Sequence, residues 1–158
     1  EFKYGTGEDE QKGKIYLSAI IDLCDKRPVA YVWSNCNDNP LVFDTFDKAL
    51  IDNPGAIPIF HSDRGYQYTS KVFRQKIIDA GMTQSMSRVA RCIDNGPMEG
   101  FWGIMKREMY YKKKKKTKDE LITAIIDYMN YYTNKRIQRN LGILTPMEYH
   151  NKLLLEAA

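Results

Sequence analysis

The sequence is poor in cysteine and histidine and contains no long apolar run. Cys24, Cys36 and Cys92 are odd in number and show no Cys-x-x-Cys spacing, and histidine occurs at only two positions. A disulfide framework and a zinc knuckle are therefore not indicated. No apolar stretch approaches the roughly 20 residues that span a bilayer, and no secretory leader is visible. We expect a soluble cytoplasmic protein with no membrane partner.

The composition is that of one globular domain with a basic second half. The chain has 158 residues, of which 43% are hydrophobic and 28% charged, and this length suits one domain better than two. Residues 80–158 carry 14 basic and 8 acidic side chains, a net charge of +6, against 10 and 12 in residues 1–79. The second half is therefore predicted to face a polyanion.

Apolar periodicity and turn residues predict strands and helices that alternate along the first half of the chain. Strands are predicted over residues 1–4, 14–23, 29–34, 57–60 and 82–86, and the fourth of these is interpreted as buried. In the second predicted helix of this half, Val72, Phe73 and Ile77 are expected to point inward. The predicted N-caps are Asn39, Ser70, Asp94 or Asn95, Thr117 and Thr145.

Two carboxylates lie at the ends of predicted elements, one after a strand and one at the start of a helix. Asp63 follows a predicted strand, and Glu99 lies in the first turn of a helix whose stripe of Met98, Phe101, Trp102, Met105 and Met109 we interpret as core. In α/β folds ligands gather at the carboxyl ends of strands, and two carboxylates there favour magnesium or manganese between them. The alternative is structural, since Asp is common in turns and Glu in first helical turns.

Several motifs occur in the same order and at the same separations as in one protein family, which makes the resemblance to that family specific. The chain resembles the catalytic core of bacterial insertion-sequence transposases of family three, OrfB type, whose cores are kin to retroviral integrases. The resemblance covers nearly the whole chain. The matching segments are His61 to Tyr68, Gln84 to Arg88, Asp94 to Lys106, Asn134 to Arg136 and Leu144 to Tyr149.

The resemblance implies an α/β, RNase H-like fold with a mixed five-stranded sheet flanked by helices. The first strand would be truncated here, and additional helices would follow. Residues 1–158 would form one catalytic core domain, with 117–158 as its helical C-terminal part. The implied enzyme is a DDE-type polynucleotidyl transferase, which cleaves DNA at mobile-element ends and transfers the 3′-hydroxyl into target DNA. An active homo-oligomer on bacterial nucleoid DNA is expected.

The same resemblance assigns Asp63 and Glu99 as the second and third acids of a site for two Mg²⁺ (or Mn²⁺) ions. The family's first acid belongs to a Thr-Asp-[Ile/Val]-Thr motif directly before Glu-Phe, so it would fall three residues upstream of Glu1. Asp22 and Asp25 follow the second strand rather than the first, and the motif does not extend to them. This fragment is therefore expected to be inactive alone.

Five basic residues are candidates for DNA contact. Lys106 lies two turns after Glu99 on nearly the same helix face, although a solvated lysine is the alternative. Arg88 and Arg91 precede the helix of Glu99. Lys112 and Lys113 begin a run of lysines, and the alternative to DNA contact for this run is a solvated loop between helices. For His61 a structural hydrogen bond is preferred to a substrate contact.

Three other functions remain open at this point. Tyr131 and Tyr132 with Arg136 and Arg139 suggest a tyrosine recombinase, but Tyr128 and Tyr132 fit an apolar helix stripe better. A non-catalytic DNA-binding relic and a plain RNase H-like nuclease are the alternatives within the implied fold. No helix-turn-helix motif for recognising element ends is visible.

Overall fold

A computed structural model describes residues 1–5, 12–89, 92–112 and 117–157. Over these ranges, no helix combines the length and apolar character needed to cross a membrane. The elements in chain order are β1 (Phe2–Tyr4), β2 (Gly13–Ile21), β3 (Pro28–Ser34), α1 (Asn39–Asp52), β4 (Ile59–Ser62), α2 (Tyr66–Thr69), α3 (Lys71–Asp79), β5 (Thr83–Met86), a 3₁₀ turn (Cys92–Asn95), α4 (Gly96–Met105), a π-helical turn (Lys106–Tyr110), α5 (Lys118–Asn134), a 3₁₀ turn (Arg139–Leu141) and α6 (Pro146–Ala157).

The five predicted strands are present in two hydrogen-bonded sets. β1, β2 and β3 form an antiparallel sheet in that order, and β4 pairs with β5 in parallel. Among the described residues β1 pairs only with β2, so the predicted single sheet is divided. The three residues of β1 rise only about 10 Å, and all three pair with β2.

Side chains alternate between the two faces of β2, and each face carries its own apolar cluster. Ile15 and Ala19 pack with helices α4 and α5, whereas Ile20 packs with α1 and α3 on the other side. This alternation is the period of two that a strand imposes. The result is three layers, with helices on both sides of the sheet.

The first cluster confirms the predicted stripe on α4. Phe101, Met105 and Met109 are buried, and Met98 and Trp102 are half-buried against them. The partners are Phe2 and residues of α5 that recur at helical spacing. The α5 residues are Leu121, Ile125, Tyr128, Met129 and Tyr132.

The second cluster is aromatic, and it corrects two predictions. Phe73 is fully buried, with ring contacts to Phe46 at 5.4 Å and Phe60 at 5.5 Å. Val72, which was predicted to point inward, is 59% exposed. Ile59 is 71% exposed, so β4 is not the fully buried strand that its apolar composition predicted. Its residues alternate, because helices cover only one face of the β4–β5 pair in the described part.

Most predicted helix caps are confirmed. The hydroxyl oxygens of Ser70 and Thr117 accept hydrogen bonds from backbone N–H groups in the first turns of α3 and α5. Thr145 and Glu148 form a reciprocal capping box at α6, with bonds of 2.8 and 3.2 Å. The assignment of Asn39 was wrong by one residue, because Asp38 Oδ1 accepts the Leu41 N–H and caps α1.

Candidate active site

The carboxyl ends of β4 and β5 meet at one edge, because these strands are parallel. Their register runs from Ile59 opposite Thr83 to Ser62 opposite Met86. Beyond the strands, the Ser87 N–H donates to the Ser62 carbonyl at 2.9 Å, and Arg64 Nε donates to the Ser87 carbonyl at 2.8 Å. The loops that follow the two strands are therefore bonded to each other.

Asp63 lies in the loop directly after β4 and is exposed. Its Oδ1 accepts the Gly65 N–H at 2.8 Å, which holds the tight turn into α2. A Cβ on Gly65 would lie 3.0 Å from this oxygen, so the turn leaves little room for a side chain. Burial, with a smaller contribution from the Asp63 carboxylate, raises the pKa of Tyr68 to about 12. The charge of Asp63 therefore acts on a tyrosine beneath the loop.

Glu99 lies in the first turn of α4 and is also exposed. The start of this helix is tied to the end of β5 by an ion pair. Arg88 donates to Asp94 from Nε at 2.9 Å and from Nη2 at 2.8 Å, and its backbone N–H donates at 3.0 Å. These hydrogen bonds hold the pKa of Asp94 well below its usual range. The loop of Asp63 and the helix of Glu99 are thus both tied to the ends of the β4–β5 pair.

The N-terminal cap of α4 differs from the one that the sequence predicted. Asn95 occupies the N-cap position but makes no side-chain cap bond. The carboxylate of Asp94, the other candidate, is used by Arg88. A bond to Arg88, six residues earlier in the chain, has therefore replaced the capping bond that the sequence suggested.

His61 bridges two serines of the neighbouring strand and loop. Its Nδ1 lies 2.9 Å from Ser85 Oγ, and its Nε2 lies 3.3 Å from Ser87 Oγ. The preferred structural hydrogen bond is confirmed. The imidazole thereby cross-links the strand ends beside Asp63.

The oxygen atoms of Asp63 and Glu99 suit a divalent cation. Among the described residues, the Glu99 side chain has no hydrogen bond or ion pair, and the Asp63 carboxylate accepts only the Gly65 N–H. Exposed carboxylate oxygens without a basic partner are the hard ligands that Mg²⁺ prefers. No group of three or more acidic, His or Cys side chains with metal-binding geometry occurs within the ranges described. The two carboxylates therefore fit part of a metal site, and their sharing of a metal stays a prediction.

Asp25 does not belong to such a site. Its carboxylate is 1% exposed, accepts the Arg27 N–H at 2.7 Å and lies 2.8 Å from His150 Nδ1. It joins the turn between β2 and β3 to α6. Asp22 caps the same turn by accepting the Cys24 N–H at 2.7 Å. Both acids have structural roles here.

The basic residues that were predicted to contact DNA lie in different surroundings. Lys106 is half-buried, with its ammonium group 5.9 Å from the centre of the Phe2 ring, and Lys112 is exposed just beyond the π-helical turn. Arg88 is exposed but bound to Asp94. Arg91 and Lys113 lie outside the described residues. Their contact with DNA stays a prediction.

An ion pair that the sequence analysis missed connects the π-helical turn to the end of α5. Arg136 donates to Glu108 from Nε at 2.9 Å and from Nη2 at 2.9 Å, and the Tyr128 hydroxyl donates at 2.8 Å. Tyr128 and Tyr132 are buried, as the packing interpretation predicted. Burial raises the pKa of both tyrosines, which is the opposite of what a nucleophilic phenolate needs. A tyrosine recombinase is therefore not supported.

This cluster predicts a pH-dependent stability. The Arg136 hydrogen bonds lower the pKa of Glu108, so its stabilising contribution is complete above the unfolded-state pKa of about 4.3 and is lost as pH falls through the folded-state value. Urea denaturation of wild type and Glu108→Gln should therefore differ at pH 7 and converge toward pH 3. Glu156→Gln, in an exposed pair on α6, is the control. A stability difference that persists unchanged at pH 3 contradicts the assignment.

Residues 4–92 and 99–154 match the integrase core domain. The chain belongs to the integrase core domain family. A transposase-like protein of Haemophilus influenzae is 36% identical over 143 residues, covering 90% of this chain and 66% of its own. The InsK protein of insertion sequence element IS150 from Escherichia coli K12 is 36% identical over 140 residues, covering 88% and 50%. This integrase core thus spans half to two thirds of these relatives.

Solved structures agree on the fold. The HTLV-2 integrase catalytic core domain, solved in complex with magnesium in a trimeric form, has a TM-score of 0.65 at 14% identity and covers 94% of this chain and 90% of its own. An intasome of simian T-cell lymphotropic virus gives a TM-score of 0.66 at 13% identity, covering 86% and 48%. The fold of this integrase core is therefore RNase H-like, as predicted.

Proposed function

We propose that this chain is the catalytic core of a DNA transposase, which cleaves the ends of a mobile element and joins the 3′-hydroxyl to target DNA. The observation that carries the proposal is the pair Asp63 and Glu99, two exposed carboxylates that have no basic partner among the described residues, in a chain of the integrase core family. The one-third identity to insertion-sequence proteins supports transposition over other integrase chemistry.

Asp63 and Glu99 would hold two divalent ions together with a further acid upstream of Glu1, in the Thr-Asp motif that the family resemblance implies. When bound, such ions activate the attacking oxygen and stabilise the leaving one in an in-line displacement at phosphorus. The Gly65 N–H fixes one oxygen of Asp63 and leaves the other for a ligand. The Arg88 bond to Asp94 ties the segment before α4 to the loop after β5, and it would thereby help to bring Glu99 toward Asp63.

DNA would lie across the basic second half of the domain. Lys106 and Lys112 would bind phosphates, with Arg91 and Lys113 as further candidates, and Arg88 would do so from its pair with Asp94. Such contacts gain affinity by releasing counterions, so binding should weaken steeply with salt. An oligomer would bring two element ends together. Residues 1–158 would act as one domain, with 117–158 as its helical part.

The test compares this chain with an extended chain that continues upstream of Glu1 through the Thr-Asp motif. Only the extended chain should nick element-end DNA in Mg²⁺ or Mn²⁺, because the shorter one has at most two of the three acids. An Asp→Asn change in that motif is the matched control and should remove activity. Equal activity in both chains would show that the first acid has been misplaced.

The two alternatives give different results in the same assay. A plain nuclease would cut DNA without joining the 3′-hydroxyl to a second duplex. A non-catalytic relic would bind DNA and neither cut nor join it, even when extended. Strand-transfer products from the extended chain would exclude both.

A further inference from the structure

The helix that carries Glu99 does not end at Met105. Its backbone continues in right-handed helical conformation into the π-helical turn, so Glu99 and Glu108 lie on one continuous rod. In an α-helix, residues four apart drift by about 40° around the axis. The wider π turn offsets this drift and keeps Met109 on the buried stripe of Phe101 and Met105. π turns inside helices are frequent at functional sites.

The apolar packing of this rod includes side chains that adapt to small rotations. Two of the three buried residues on its stripe, Met105 and Met109, have flexible unbranched side chains that adapt to small shifts. Directional bonds therefore add to the constraint that Phe101 provides by packing against Tyr132. The π-helical turn makes such bonds on two sides.

On one side, Tyr110 binds β1. Its hydroxyl accepts the Lys3 N–H at 2.9 Å and lies 3.2 Å from the Lys3 carbonyl, and its ring packs edge-on to Phe2 at 5.2 Å. On the other side, Glu108 receives the two-pronged bond from Arg136. Charge-assisted forks of this kind are stronger and more directional than neutral hydrogen bonds.

Arg136 is itself held in place. Its backbone N–H donates to the Tyr131 carbonyl at the end of α5, and its guanidinium lies 5.8 Å from the centre of the Tyr132 ring. Its charge is thereby committed to Glu108 instead of to DNA. The sequence analysis named Arg136 for a family resemblance and for a tyrosine recombinase, and neither interpretation identified its bond to Glu108.

We propose that Arg136 is a positioning residue for the transposase reaction: through Glu108, it fixes the rotation of the helix that presents Glu99. This rests on the proposed function of the domain. A rotation of about 10° at a side-chain radius of about 5–6 Å moves a carboxylate by about 1 Å. A misplacement of that size can cost about 10²-fold in rate.

The first test uses Arg136→Met in the extended chain, with single-turnover cleavage and DNA affinity measured separately. Cleavage should slow by about 10–100-fold while the Kd for DNA stays within about twofold, because Arg136 acts on geometry rather than on DNA. Arg136→Lys keeps the positive charge but cannot donate two parallel hydrogen bonds to Glu108, so its cleavage rate should lie between those of Arg136→Met and wild type. A wild-type rate in Arg136→Met would overturn the proposal.

A control separates positioning from general destabilisation. His150→Gln breaks the bond to the buried Asp25, far along the chain from α4, and should lower Tm without slowing cleavage at a temperature where the protein is folded. An equal rate loss in His150→Gln and Arg136→Met would mean that stability alone is responsible.

The second test needs no activity and uses this chain as it is. Hydrogen exchange of residues 96–110 should accelerate in Arg136→Met by more than its loss of global stability explains, whereas in His150→Gln it should change only as much as the loss of global stability requires. Unchanged exchange in Arg136→Met would overturn the proposal. Absence of cleavage by the wild-type extended chain would instead count against the proposed function, while the exchange result would still decide the role of Arg136 in holding the helix.

Discussion

Glu99→Gln is expected to abolish cleavage and strand transfer by the extended chain while DNA binding stays equal or becomes tighter. The amide keeps the size of the side chain but is a poor ligand for a divalent ion, whose contribution of several kcal/mol corresponds to about 10³-fold or more in rate. Binding should not suffer, because the change removes a negative charge from a surface that faces phosphates. Single-turnover assays and fluorescence anisotropy measure the two effects.

Glu156→Gln, in an exposed pair on α6, is the matched control and should change neither quantity. Lys106→Ala should give the converse pattern, with weaker binding and a shallower salt dependence, because a phosphate contact is lost. Loss of binding in Glu99→Gln equal to that in Lys106→Ala would contradict the separation of chemistry from binding.

Asp25→Ala is expected to lower the free energy of unfolding by about 3–5 kcal/mol. The substitution removes a carboxylate that is 1% exposed and leaves Arg27 and His150 without their shared acceptor in a poorly solvated place. For a chain of this size, such a loss lowers Tm by roughly 6–20 °C. Urea denaturation and thermal melts provide the measurement.

The control for this prediction is Asp52→Ala, which breaks the exposed pair of Lys48 and Asp52 within α1. An exposed pair four residues apart is worth only about 0.3–0.5 kcal/mol. Similar effects of the two substitutions would mean that burial does not strengthen the Asp25 cluster. Loss of metal-dependent DNA nicking in a well-folded Asp25 variant would return this acid to the active site.

Features encoded by neighbouring residues were predictable from the sequence. Ser70, Thr117 and the pair of Thr145 and Glu148 cap helices through bonds that span three residues, and their spacing along the chain is sufficient to identify them. The stripe on α4 was predictable for the same reason, because its period is that of the helix. The positions of Asp63 and Glu99, directly after a strand and at a helix start, were also predicted correctly.

Features that depend on the third dimension were not predictable. Ile59 is apolar in composition, but whether a helix covers its face depends on packing that no local pattern encodes. Arg136 and Glu108 are 28 residues apart, and one arginine among several gives no signal of its partner. The role of Arg88 was open for the same reason, because its bond to Asp94 competes with any bond to DNA.

The two apolar clusters on opposite faces of β2 have a consequence for how the site comes together. Asp63 follows a strand whose Phe60 packs into one cluster, whereas Glu99 is carried by a helix of the other. The relative position of the two carboxylates therefore depends on the packing of both clusters, which β2 joins because Ile15 and Ala19 pack into one and Ile20 into the other.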